Sequence, residues 1–135
     1  IGQVRRKGSL GSYYSIQDYK AVNPEFGTEE DLRALIDEAH SLGFKVILDW
    51  VANHTSYDHV WISEHPDWYT TNDKGEIISP VDDWADVADL NYEKSEMREA
   101  MIDAMAHWIR NFDMDGFRCD VAEMVPNSFW LKATT

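Results

Sequence analysis

The stretch Asp115-Gly-Phe-Arg118-Cys-Asp120-Val-Ala-Glu-Met124 decides the fold and points to the chemistry. It reads as a short buried strand with an arginine and a carboxylate two residues apart. The period of two along a strand puts Arg118 and Asp120 on one face and turns Cys119 to the other. A guanidinium beside a carboxylate favours its ionised form, the form an attacking carboxylate needs at neutral pH. From spacing alone, an ion pair that only fastens a strand end has the same signature. Cys119 is expected as a small buried hydrophobe rather than a reactive thiol.

Working outward, the residues before this strand have helical periodicity. Met97, Met101, Met105, Trp108, Ile109 and Phe112 fall on one face of a helix that starts at Ser95. Further upstream, Thr28-Glu-Glu-Asp31 resembles a capping box, and Leu32, Leu35, Ile36 and Ala39 repeat at helical spacing. Gly43 stands where a helix end wants a left-handed residue, and Phe44-Lys-Val-Ile-Leu48 follows as the apolar run of a buried parallel strand. Residues 1–27 read as a long loop following a strand further upstream. Residues 55–92 read as an excursion rich in Asp, Pro, Trp and Tyr, with a turn at Asn72-Asp-Lys-Gly75. Loops of that length in compact domains are usually functional. The order is loop, helix, strand, excursion, helix, strand. Right-handed crossovers between parallel strands then bring residues 49–54 and Asp120 to one rim.

The chain has 135 residues, 44% hydrophobic and 13% aromatic, which is enough for a core. Its net charge of −13 repels phosphate backbones and anionic lipid, so nucleic acid is not an expected partner. No apolar run reaches the roughly 18 residues of a membrane-spanning helix. One cysteine rules out an internal disulfide framework. His54, His59 and His65 lack zinc spacing, and neither a nucleophile elbow nor a phosphate loop is present. Asn53-His-Thr55 fits the N-glycosylation pattern, and its place at the expected rim argues against use.

The 115–124 stretch resembles the fourth-strand motif of the alpha-amylase family of glycoside hydrolases. Asp49-Trp-Val-Ala-Asn53-His54 is similar to that family's third-strand motif. The segment from Tyr14 to Thr28 is similar to the one after its second strand, and Val87-Ala-Asp89-Leu90-Asn91 to the motif late in its third-strand excursion. The resemblance implies an α/β fold, a partial (β/α)₈ TIM barrel with a long loop excursion after strand three. Residues 1–135 would be a fragment of the catalytic barrel, and 55–92 a short excursion like the family's domain B. A closed barrel takes about 250 residues. The chain opens on Ile1-Gly2 and stops at Thr135, so a slice of a longer protein is expected.

By the same resemblance, Asp120 is the nucleophile of a retaining hydrolase acting on alpha-glucans such as starch and maltooligosaccharides, and Arg118 orients it. Tyr14 is the aromatic platform under the sugar, with Tyr13 beside it as a competitor. His54 contacts the same sugar, and Asp49 shapes the site. Asn53 and Asp89 match calcium-binding positions, and an amide oxygen with a carboxylate suits that hard cation, although two ligands do not make a site. Trp61, Trp68, Tyr69 and Trp84 form either a sugar-stacking surface or core packing. Many relatives carry a lysine and a histidine three and four residues after the nucleophile; here Glu123 and Met124 stand instead. That departure leaves hydrolase, transglycosylase and alpha-glucosidase open, with a non-catalytic amylase-like binding or assembly protein as the alternative. The family's general acid, a glutamate on strand five, and its third carboxylate lie outside this chain. The odd offset of Glu123 from Asp120 turns it to the other face.

Overall fold

A computed structural model describes residues 12–135, in which eight regular elements follow one another. They are α1 (Glu29–Ser41), β1 (Ile47–Val51), β2 (His54–Ser56), α2 (Val60–Glu64), β3 (Val87–Asp89), α3 (Ser95–Phe112), β4 (Gly116–Asp120) and α4 (Asn127–Ala133). Short 3₁₀ turns lie at Pro66–Trp68 and Ala122–Met124. Of the expected loop, residues 1–11 lie outside the described residues, and 12–27 form no helix or strand.

The start of α1 follows from its capping chemistry. The Asp31 backbone N–H donates to the Thr28 hydroxyl at 3.2 Å, and the Thr28 N–H donates back to the Asp31 carboxylate at 2.8 Å. At the other end Gly43 takes φ +84°, which glycine adopts without steric cost. Its N–H donates to the His40 carbonyl, and the Phe44 N–H donates to that of Ala39 at 2.9 Å, which closes a Schellman motif. Phe44 therefore belongs to the helix end, and the strand begins three residues later than the apolar run predicts.

β1 and β4 pair in parallel, with Asp49 opposite Arg118 and Val51 opposite Asp120. Asp115 fixes the entry to this pair. Its carboxylate accepts the Val46 N–H at 2.7 Å and meets His40 Nε2 at 2.7 Å, and its own N–H donates to the Val46 carbonyl. The Val46 bond, and after it His40, holds the Asp115 carboxyl below its ordinary pKa.

The expectation of strands buried on both faces is not met. β4 is only partly buried, its Arg118 side chain is half-exposed, and Ile47 on β1 is 60% exposed. Two strands do not close a barrel. One face of the pair, carrying Leu48, Trp50, Phe117 and Cys119, joins the core with Ile36 of α1 and Met97, Met101, Ala104, Trp108 and Phe112 of α3. The other face carries Asp49, Arg118 and Asp120. Leu35 and Ile109, expected on the buried helical faces, are instead exposed.

The 55–92 excursion is more regular than a loop. β2 and β3 pair antiparallel, with His54 opposite Asp89, and a bridge joins Tyr69 to Leu90. Trp68, Tyr69, Leu90 and Tyr92 are buried beneath it, and the Tyr69 and Thr55 hydroxyls lie 2.7 Å apart. The expected turn forms, with the Gly75 N–H donating to the Asn72 carbonyl at 2.9 Å. No described helix is long and apolar enough to cross a membrane.

Candidate active site

The parallel register brings Asp49 and Arg118 side by side and carries Asp120 one step further along the same face. Arg118 Nη1 lies 3.0 and 3.2 Å from the two Asp49 carboxylate oxygens and 3.0 Å from Asp120 Oδ1. One guanidinium nitrogen thus serves two carboxylates. Asp49, then Asp120, raises the Arg118 pKa further, so its charge is fixed. The Tyr14 hydroxyl donates to Asp49 Oδ2 at a long 3.4 Å, which ties the 12–27 segment to the strand ends.

Beyond these ends, Ser12, Tyr14, His54, Trp84, Asp86, Val87, Asp120 and Val121 surround a cavity of about 370 Å³. Of the two neighbouring tyrosines, Tyr14 lines it, whereas Tyr13 packs near Phe26 with ring centroids 6.2 Å apart. Asp49 stands behind the lining and reaches it through Tyr14 and Arg118. Glu123 is exposed in the 3₁₀ turn and is not among the lining residues. The chain leaves the strand at Val121, whose φ of +44° is left-handed. Few β-branched residues adopt that region, and such strain concentrates at functional sites.

His54 is buried, and burial lowers its pKa against the opposing pull of the Tyr14 carbonyl and of Asp120 and Asp86. Its Nε2 lies 3.2 Å from the Tyr14 carbonyl, and its Nδ1 lies 3.2 Å from the Asn53 amide nitrogen. These partners select the neutral tautomer with the proton on Nε2. That proton points at Tyr14, so an acceptor reaching His54 from the cavity must share or displace this bond. The Trp84 ring meets the imidazole edge-on at 5.6 Å.

The four aromatics of the excursion divide. Trp68 and Tyr69 are core residues and Trp61 packs against them, whereas Trp84 is half-buried at the cavity. Asp86 has no distinguishing sequence signal: Asp82 and Asp83 stand close by in the same acidic run. Only the return of the chain into β3 singles it out, with its carbonyl held by the Ser15 hydroxyl at 3.0 Å.

Asn53 and Asp89 meet at one end of the β2–β3 pair, where the Asn53 carbonyl accepts the Leu90 N–H at 3.2 Å. The Asn53 amide nitrogen faces His54, and burial raises the Asp89 pKa while Thr70 opposes that shift through a hydrogen bond. Among the described residues, no group of three or more His, Cys, Asp or Glu side chains could hold a metal. The donors suit calcium in kind, but two fall short of its six to eight oxygens in number. Asn53 is itself buried, which removes it as a glycosylation acceptor in the folded chain.

The sequence profile described as "Alpha amylase, catalytic domain" matches residues 8–85 and 81–133. The alpha-amylase MalA of Haloarcula japonica is 35% identical over 87% of the chain, and the trehalose-6-phosphate hydrolase of Bacillus subtilis is 33% identical over 83%. The chain spans 18% and 26% of those two proteins. A crystal structure of an alpha-amylase from Lactobacillus plantarum is 51% identical with a TM-score of 0.93, covering 98% of this chain and 31% of that one.

Proposed function

The chain belongs to the alpha-amylase catalytic-domain family, and we propose that it forms one side of the (β/α)₈ barrel of a retaining glycoside hydrolase acting on alpha-glucans. The observation that carries this reading is the Arg118 guanidinium shared by Asp49 and Asp120 at the strand ends, where Asp120 joins Tyr14 and His54 around one cavity. Arg118, 3.0 Å from Asp120 Oδ1, fixes the direction of that carboxylate. Asp120 attacks the anomeric carbon as a second carboxyl group, a glutamate outside this chain, protonates the departing oxygen. Water then attacks the glycosyl-enzyme, assisted by the same second carboxylate, and releases Asp120. Tyr14 offers a ring face to the sugar's C–H surface, and His54 its Nε2 proton to a hydroxyl. The 55–92 excursion, in the place of a small domain B, supplies the opposite side of the cavity.

The test is Asp120→Asn in the full-length protein. It keeps the fold and lowers turnover of maltooligosaccharides by at least about a thousandfold. Asp49→Asn, one step removed from the cavity, lowers it less. Near-normal turnover by the Asp120 variant would overturn the assignment. Calcium belongs to the same proposal, with Asn53 and Asp89 giving two of its oxygens and carbonyls or water the rest. No step of the reaction is assigned to it.

A further inference from the structure

The side of the cavity facing Asp120 comes from the excursion, and its residues are unlike those of the strand ends. Trp84 is half-buried, lines the cavity and lies edge-on to His54 at 5.6 Å. Two residues later Asp86 lines the same cavity, close enough for its charge to act on His54. The segment is pinned rather than loose. The Ser15 hydroxyl donates to the Asp86 carbonyl, the Trp84 N–H donates to the Val81 carbonyl at 2.9 Å, and the Ser79 hydroxyl donates to that of Val87 at 2.8 Å.

The charge around this cavity is one-sided. Among the described residues no lysine or arginine lines it, burial lowers the His54 pKa, and the Arg118 guanidinium is already shared by Asp49 and Asp120. Among the described residues Asp86 forms no ion pair. A neutral hydroxylated ring fits such a place, since it offers a C–H face to the indole and hydroxyls to the carboxylate. A phosphate dianion does not, because desolvation beside an uncompensated carboxylate penalises it. The distinction matters here, since one relative is named for the hydrolysis of a sugar phosphate.

We propose that the Trp84-Ala85-Asp86 segment is the selectivity wall of this site, holding an uncharged glucosyl ring against Trp84 and turning away phosphorylated sugars through Asp86. This rests on the reading of the cavity as a glucan site and adds to it the class of sugar admitted.

Binding is measured by titration calorimetry with maltose and maltose 6′-phosphate, using the full-length protein carrying Asp120→Asn so that no turnover intervenes. The phosphate ester is expected to bind at least about tenfold more weakly than maltose. Asp86→Asn narrows that ratio at least about threefold, chiefly by strengthening binding of the phosphate ester. Trp84→Ala weakens both sugars at least about fivefold and leaves their ratio unchanged, whereas Trp84→Phe, which keeps a ring face, retains most of the affinity. Equal binding of the two sugars, a ratio unmoved by Asp86→Asn, or maltose affinity unmoved by Trp84→Ala would each overturn the proposal. Failure of the unaltered enzyme to cleave maltooligosaccharides would count against the function and not against this wall, because the wall is read by binding alone.

Discussion

At the scale of single residues, the position after Asp120 departs furthest from local preference. Val121 holds φ +44° and ψ +41° although its branched Cβ disfavours them, a conformation that costs on the order of 1–2 kcal/mol. The turn it makes ends β4 abruptly and leaves Asp120 facing the cavity. Val121→Gly relieves that strain but loosens the backbone at the carboxylate. Its melting temperature is therefore expected to stay within about 3 °C of the parent, where the same exchange in an ordinary strand loses more. Turnover in the full-length enzyme is expected to fall several-fold. Calorimetry and kcat on maltooligosaccharides check the pair of outcomes, and a large loss of stability would show that Val121 is unstrained. Nothing in the sequence announces this conformation, because valine there fits a continuing strand. The Arg118 and Asp120 alternation was legible since it needs only a period of two. The sharing of Arg118 with Asp49 was not, because it depends on the register between β1 and β4.

Among the elements, those governed by contacts within a few residues were the readable ones. The capping box of Thr28 and Asp31, the left-handed Gly43 and the methionine stripe of α3 are all local patterns, and all appear in the structure. β2 and β3 have three residues each, too few to display a period, and their pairing spans some thirty residues of chain. α2 escaped notice for a similar reason. Its N-cap is His59, whose Nδ1 accepts the Trp61 N–H at 3.0 Å, while burial lowers its pKa from 6.5 to about 4. Above pH 6.5 His59 is neutral folded and unfolded, so it adds no pH dependence. As pH falls from 6.5 toward 4, the unfolded chain takes up a proton that the folded chain refuses. Stability is then lost, by about 3 kcal/mol at the limit. His54 acts in the same direction. His59→Asn keeps an oxygen to cap the helix and removes the titration. Denaturation midpoints between pH 7 and 4.5 are expected to decline less steeply in this variant than in the parent. An identical decline would show that His59 is protonated in the folded state. Asp89 ends β3, and Asn53 stands just before β2. If calcium joins them, chelator lowers the melting temperature of the full-length protein and added calcium restores it, since a ligand bound only to the folded state stabilises it by mass action. Asp89→Asn removes most of that difference. Superimposable melts with chelator and with calcium, and no metal by elemental analysis, would dismiss the ion.

On the scale of the whole molecule, the two-stranded parallel sheet accounts both for the exposed apolar side chains and for the limit on what these residues do alone. Leu35, Phe44, Ile47, Ile109 and Leu131 are exposed, as apolar positions are when a sheet and its helices lack neighbours. The cavity is likewise walled on one side by the strand ends and on the other by the excursion. Retaining cleavage needs two carboxyl groups about 5–5.5 Å apart, one to attack and one to protonate the leaving oxygen. Glu123, the nearest acid after Asp120 in sequence, is exposed in the 3₁₀ turn away from the cavity lining. Asp86 does line the cavity, but it enters from the excursion, where the selectivity wall assigns it to sugar choice. The 135 residues alone are therefore expected to bind maltooligosaccharides weakly and to hydrolyse none. The measurement is release of reducing sugar by the purified chain, free of host amylase, beside its own Asp120→Asn and Asp86→Asn forms. Turnover lost in both variants would make Asp86 the second acid and move it from selection into catalysis. Turnover lost only with Asp120 would direct the search to Glu123. No turnover in any form, with activity present in the full-length protein, places the proton donor outside these residues.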